Sequence, residues 1–312
     1  MIRAVIDCGT NTFNLLIRDT HGQQYLHREK YPVRLGEDGQ KEKTISPKAQ
    51  QRAIKTLKKY QEQARNWNAD SITLVGTAMI REARNGGDLV RAVKKETGLT
   101  LQVIDGQREA NLILQGVQQA MPLPRESCLI MDIGGGSTEF IWLKAQKRQY
   151  LASFPLGSSL LLEKCRPSDP IKPAEIEEME NFIATALKPL LSRTRSGQPR
   201  TLIGSSGSFD TLAQMCALQF KTRPWQAAGR SYTFALPEYH KMARQMLAQN
   251  LEERLHTPGM IPMRADMIVP ACVLINFIID QMGIQTLLQC SYALKEGVFY
   301  SLENEPHLWP KS

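Results

Sequence analysis

Apolar residues open the chain in two short runs, 2–8 and 12–18, separated by Cys-Gly-Thr-Asn. Their length and spacing predict two strands around a tight turn, with a third strand over 23–31. From Ser46, a good helix N-cap, the pattern turns helical as far as Trp67. Strand 71–76, helical segments near 79–97, strand 101–104 and a helix from about 106 to 120 follow. The stretch MPLPRES, 121–127, holds two prolines and no periodicity, and it reads as a domain boundary. Beyond it the same order resumes, with strands 128–133, 138–143 and 148–155, helices near 158–165 and 173–192, strand 201–204 and helix 207–219. Residues 236–304 read as mostly helical, broken by a strand at 285–290. The longest apolar stretch, MIVPACVLINFII at 267–279, is too short to span a bilayer and contains Pro270, so it predicts a buried helix.

The resumption is visible in the residues. VIDCGTNTFNLLI (5–17) aligns with IMDIGGGSTEFIW (130–142) at an offset of 125, and LVGTAMIREA (74–83) with LIGSSGSFDT (202–211) at 128. Asp7 falls on Asp132, Gly9 on Gly134 and Thr12 on Ser137. Two matches in the same order predict a duplicated α/β domain, 1–124 and 125–312, with the last helix packing back on the first domain. In that arrangement the two glycine-rich turns face each other across a central cleft.

Composition narrows the class. Hydrophobic content of 42% and charged content of 22% are those of a soluble globular protein, and the net charge of +8 suits an anionic partner. Lys41, Lys43, Lys48, Lys55, Lys58, Lys59 and Arg65 gather in one stretch, and Arg81, Arg84, Arg91, Lys94 and Lys95 in another. No nucleic-acid-recognition motif accompanies them, so nucleic acid is not the expected partner. The six cysteines are scattered, with no CxxC pair, and read as buried free thiols in a reducing compartment. The chain opens as a strand interrupted by Asp7, not as a leader peptide, and a cytoplasmic protein without membrane attachment is expected.

In both turns the glycines precede a strand. That excludes a P-loop and the dinucleotide fingerprint, each of which needs a helix after its glycines. What remains is a hairpin whose amides form an anion-binding nest, or a tight turn capped by hydroxyls. In the first reading Thr10, Thr12, Ser137 and Thr138 add hydroxyl donors for phosphate oxygens. Asp7, Asp132 and Glu139 would repel a bare phosphate, so they imply a divalent cation, Mg2+ with Mn2+ as its substitute. GSSGS at 204–208 starts a helix and offers amides to a further phosphate or a nucleotide moiety, although serine caps explain it almost as well.

VIDCGTNTFNLLI, VGTAMIREA, DGQREANLILQGV, MDIGGGSTEF and GSSGSFDTLA together resemble the motifs of the exopolyphosphatase / guanosine pentaphosphate phosphohydrolase (Ppx/GppA) family. The resemblance runs from residue 2 to about 300, through RADMIVPACVLI and SYALKEGVFY. It implies two actin-like (ribonuclease H-like) domains around a cleft, as in sugar kinases and chaperone ATPases, and Mg2+-dependent hydrolysis of terminal phosphoanhydrides. Glu109, an acid in the first turns of its helix, matches the family glutamate that activates the attacking water, and Arg81 matches a cleft arginine. Asp132 and Glu139 match carboxylates that hold metal and orient water. The expected phosphate-binding residues are Gly9, Thr10, Asn11 and Thr12, then Gly134, Gly135, Gly136, Ser137 and Thr138, then Gly204, Ser205, Ser206 and Gly207.

Three departures bear on the substrate. CGTNTFN stands where many members have Gly-Ser-Asn-Ser, and Asn111 stands where an arginine is common. Lys295 replaces another frequent arginine and loses bidentate geometry. Polyphosphate is the expected substrate and guanosine pentaphosphate the runner-up, with a homodimer as one assembly left open. A small-molecule kinase of the same superfamily, or a sensor that binds without turnover, are the readings from other classes. Retention of Glu109, Asp132 and Glu139 speaks against the sensor.

Overall fold

The computed structural model describes residues 1–22, 24–37, 43–221 and 229–309. Residue 23, at the head of the third predicted strand, and Lys41 of the basic run lie outside them. Packing groups the chain into two units, Met1–Leu112 with Leu294–Ser312, and Ile113–Ala293. The division falls after Leu112, not at the proline stretch.

In the first unit β1 (Ile2–Cys8), β2 (Thr12–Asp19) and β3 (Gln24–Pro32) form an antiparallel meander. β4 (Ser71–Gly76) and β5 (Leu101–Val103) extend it in parallel, giving the order β3-β2-β1-β4-β5. The helices are α1 (Pro47–Asn66), α2 (Ala78–Glu82), α3 (Gly86–Thr97) and the start of α4 (Gly106–Ala120). Ser46 caps α1 as its position predicts, its Oγ accepting from the Ala49 amide at 3.2 Å. Ala49, Ala53, Leu57, Tyr60 and Ala64 recur every three or four residues, and this stripe packs into the core with Ile6, Phe13 and Leu15. The Tyr60 hydroxyl donates to the Phe13 carbonyl at 3.0 Å, tying α1 to β2.

The second unit repeats the plan. β6 (Cys128–Ile133), β7 (Thr138–Lys144) and β8 (Lys147–Phe154) form the meander. β9 (Thr201–Ser205) runs parallel to β6, and β11 (Thr286–Cys290) parallel to β9. A short edge strand, β10 (Ser231–Phe234), closes the order β10-β11-β9-β6-β7-β8. Its four residues alternate, with Tyr232 and Phe234 buried, but so short a run carries too little pattern to be predicted, and its partner β11 lies far downstream. The helices are α5 (Ser158–Cys165), α6 (Pro173–Thr194), α7 (Ser206–Phe220), α8 (Leu236–Ala248), α9 (Leu251–Leu255) and α10 (Ile268–Met282). α10 is the buried helix its composition predicts; Pro270 sits in the first turn, where a missing amide costs nothing. α11 (Leu294–Asn304) belongs to the first unit, where Gly297 lets the Leu112 carbonyl approach and the Leu302 carbonyl accepts from Arg3.

All six cysteines are free, five of them buried and Cys165 half-buried. Burial pushes the thiols of Cys128, Cys216 and Cys272 up to about 12, so they stay protonated at neutral pH. No helix among the described residues is long and apolar enough to cross a membrane.

Tyr60→Phe removes the buried donor to Phe13 and is expected to lower stability by about 1 kcal/mol, read as a shifted urea midpoint with an unchanged slope.

Candidate active site

The two glycine turns share one closing hydrogen bond. The Gly9 amide donates to the Thr12 carbonyl at 3.1 Å, and the Gly134 amide to the Ser137 carbonyl at 2.9 Å. A Cβ would lie 3.0 Å from that oxygen at Gly9 and 2.9 Å at Gly134, closer than real Cβ atoms comfortably come. The offset seen in the sequence is therefore an offset of identical turn geometry.

The rest of the second turn is set by α5. The amides of Ser158 (3.0 Å), Gly157 (3.2 Å), and Ser159 and Leu160 (both 3.1 Å) donate to the carbonyls of Gly134, Gly136 and Gly135 respectively. Gly157 must be glycine, because a Cβ there would strike the Gly135 carbonyl. In a trans peptide the C=O and the next N–H point in opposite directions. Three carbonyls turned towards α5 thus send the amides of Gly135, Gly136 and Ser137 the other way. None of the three meets an acceptor among the described residues. In the first turn the Arg34 and Leu35 amides hold the carbonyls of Asn11 and Thr10 at 2.8 and 2.7 Å, so the amides of Asn11 and Thr12 are turned away from that segment.

Side chains sort differently from expectation at one position. Thr10, Asn11 and Thr12 are buried around their turn. Thr138 is wholly buried and its hydroxyl donates to the Leu156 carbonyl at 2.8 Å, so its one donor hydrogen is committed inside the unit and is not offered to phosphate. Ser137 directs its hydroxyl to Glu139 at 2.7 Å.

Asp132 lies directly opposite Glu139 in the β6–β7 register, so the two carboxylates share one face of the sheet. The equivalent pair in the first unit is Asp7 and Asn14, in which the Asn14 amide donates to Asp7 at 2.9 Å. The duplication has thus kept the aspartate and exchanged an amide for a second carboxylate. Asp132 and Glu139 are 5% and 1% exposed. Glu139 accepts from Ser137 and Ser153, both at 2.7 Å; Asp132 accepts from Ser205 at 2.6 Å and Ser206 at 2.9 Å. Ser206 reaches Asp132 from a left-handed backbone, φ 72°, which costs a non-glycine residue roughly 1 kcal/mol or more.

The glycines of 204–208 answer to packing. A Cβ on Gly204 would enter the Phe209 ring, and one on Gly207 would meet the Arg264 guanidinium. Arg264 is 6% exposed, and its guanidinium makes no hydrogen bond with a described residue. Burial pulls its pKa down, opposed by the charges of Asp210, Asp132 and Asp266, so the cation sits in an acidic neighbourhood. The Ser208 hydroxyl, on the residue after Gly207, is buried without a hydrogen-bond partner among the described residues. Sequence reasoning missed Arg264. The available signal was an arginine just ahead of the most apolar stretch, where a cation is retained only near carboxylates.

In the first unit Asp105 caps α4, accepting from the Arg108 amide at 2.8 Å, and this sets Glu109 on the first turns. Arg81, at the end of α2, uses one nitrogen, Nη1, to donate to Glu109 at 2.9 Å and to the Ile104 carbonyl at 3.0 Å. Glu109 is 6% exposed. The sequence assigned these two residues separate tasks; the fold joins them in an ion pair.

Among the described residues no group of three or more His, Cys, Asp or Glu side chains gathers in position to hold an ion. Within the second unit Asp132 and Glu139 stand opposite each other, and within the first Asp7 accepts from Asn14. The Asp132–Glu139 pair fits Mg2+, which takes hard oxygen ligands and needs only one or two carboxylates beside substrate phosphates. Mn2+ accepts the same donors. A cation would also relieve the repulsion between two buried like charges.

Gly134→Ala forces its Cβ against the Ser137 carbonyl and is expected to destabilise the protein by about 1–3 kcal/mol, visible as a lower melting temperature.

Comparison with known proteins places this geometry. The model of the Ppx/GppA phosphatase family matches residues 16–305. An exopolyphosphatase from Cytophaga hutchinsonii superimposes with a TM-score of 0.94 at 36% identity, over 98% of each chain. A Ppx/GppA family member from Aquifex aeolicus superimposes at 0.79 with 23% identity, again over 98% of each chain. An uncharacterized protein of Streptomyces coelicolor is 25% identical over 99% of this chain and 93% of its own length. The two repeated sheets, the paired glycine turns and a family match over nearly the whole length lead to one conclusion: the chain belongs to the Ppx/GppA phosphatase family.

Proposed function

We propose that this protein is a Mg2+-dependent exopolyphosphatase that releases phosphate from the end of inorganic polyphosphate. By family it is a phosphoanhydride hydrolase; the substrate, the metal and the residue roles are the proposal. One observation carries it: the amides of Gly135, Gly136 and Ser137 are turned out together, with no acceptor among the described residues, beside the Asp132–Glu139 pair. Such a nest takes phosphate oxygens, and a carboxylate pair beside it takes the accompanying cation. The net charge of +8 suits a long polyanion, and the relative from Cytophaga hutchinsonii is an exopolyphosphatase. A cytoplasmic location belongs to the same proposal and rests on the free, buried cysteines.

In this reading a water oxygen attacks the terminal phosphorus and the bridging P–O bond breaks. Glu109 takes the proton from the water, and the chain leaves one phosphate shorter. The Arg81 contact fixes the Glu109 carboxylate in one orientation, and its guanidinium stabilises charge on the transferred phosphoryl group. Mg2+ held by Asp132 and Glu139 would supply charge neutralisation at the phosphate oxygens. Ser205, Ser206, Ser137 and Ser153 keep those two carboxylates aimed.

Phosphate release from long-chain polyphosphate, guanosine pentaphosphate and ATP, compared side by side, tests the substrate. Glu109→Gln is expected to lower kcat by about 10²–10⁴-fold while polyphosphate binding survives. Asp132→Asn is expected to raise the Mg2+ concentration for half-maximal rate by roughly tenfold or more. Tight binding without turnover of any of the three would replace the hydrolase with a sensor. ADP with a phosphorylated acceptor and little free phosphate would replace it with a kinase.

A further inference from the structure

The first unit carries a second feature suited to polyanions, a groove that none of the proposed catalytic residues lines. α1 and α3 lie side by side, and between them runs a groove of about 500 Å3. Ile54, Lys55 and Lys58 line it from α1, and Ala92, Lys95 and Glu96 from α3. Lys58 follows Ile54 by four residues and Lys55 by three, and Lys95 and Glu96 follow Ala92 by three and four, so both sides of the groove are built at helical spacing. Ile54 and Ala92 are half-buried and form an apolar floor, while the lysine heads are exposed. Lys58 pairs with Glu96 at 2.6 Å, and Lys95 also acts on Glu96. Lys55 has no ion-pair partner among the described residues. Three cations against one anion leave the groove positive.

We propose that the α1–α3 groove is an accessory seat for a stretch of linear polyphosphate, separate from the glycine turns. The inference rests on the polyphosphate reading of the catalytic site. Its chemistry selects the occupant. Lysines are compact, rotatable point charges that bind a repeating polyanion without demanding one geometry, whereas arginine forks would read a planar group. No aromatic side chain among the described residues lines the groove, so a nucleobase finds nothing there to stack on. The floor, Ile54 and Ala92 alone, offers too few anchors for a protein helix, which needs several along its length.

The test compares the full chain with Lys55→Ala/Lys95→Ala, which leaves the Lys58–Glu96 pair in place, and with the charge reversal Lys55→Glu/Lys95→Glu. Binding of end-labelled long-chain polyphosphate is measured in EDTA across a salt series, and phosphate release with Mg2+ is measured on long chains and on tripolyphosphate. The alanine variant is expected to weaken long-chain binding and raise its KM roughly three- to tenfold, the size of two exposed ion pairs lost. Its log–log salt dependence should be shallower by about one unit or more. The reversal should weaken binding further, and tripolyphosphate kinetics should match wild type in both variants. Long-chain binding equal to wild type overturns the groove, as does an equal loss on both chain lengths with a lowered melting temperature. A wild-type protein that hydrolyses no polyphosphate would overturn the catalytic reading instead, and the EDTA binding data keep the two failures apart.

Discussion

A planar peptide cannot send its C=O and the following N–H to the same side, and the second glycine turn depends on that constraint. The first turn of α5 captures the carbonyls of Gly134, Gly135 and Gly136. Those contacts satisfy the orphan amides of the helix start, so α5 itself offers no anion site. They also fix the direction of the next three amides. The Gly135 carbonyl comes so near Gly157 that a Cβ on Gly157 would strike it. Gly134 is required by the close approach of the Ser137 carbonyl, and the three glycines together leave a bare amide surface.

The duplicated plan makes the divergence between the units informative. β1–β2 and β6–β7 share register, turn hydrogen bond and glycine placement. Within that frame Asp7 faces an asparagine, and Asp132 faces a glutamate. An Asp–Asn pair is satisfied by its own hydrogen bond. An Asp–Glu pair sets two carboxylates side by side out of water, a burial that needs hydrogen-bond donors around it. Ser137, Ser153, Ser205 and Ser206 supply the donors, one of them from a strained backbone position. Ser206 thus holds its strained backbone directly beside the carboxylate pair.

The proposed machinery of the first unit is smaller and of another kind. Arg81 and Glu109 come from the ends of two helices and meet in one ion pair, with the Ile104 carbonyl holding the same guanidinium nitrogen. Removing Arg81 would take its paired guanidinium from the buried Glu109, a costlier change than losing a surface pair. Lysines elsewhere on this unit sit on exposed helix faces, where charge acts at little cost in desolvation.

By itself the sequence determined whatever depends on neighbours along the chain. Helix and strand periods placed nearly every element, Ser46 marked a helix start that the hydrogen bond confirms, and the offset of 125 identified two turns of the same geometry. Only tertiary structure decided the rest. It turned Thr138 inward to Leu156, buried Arg264 against Gly207, joined Arg81 to Glu109 and paired the short strand β10 with β11. It also gave Gly204 and Gly207 their packing reason in Phe209 and Arg264. Each of these depends on residues brought together from distant parts of the chain, and side-chain direction and burial are set by those partners, which no local period encodes.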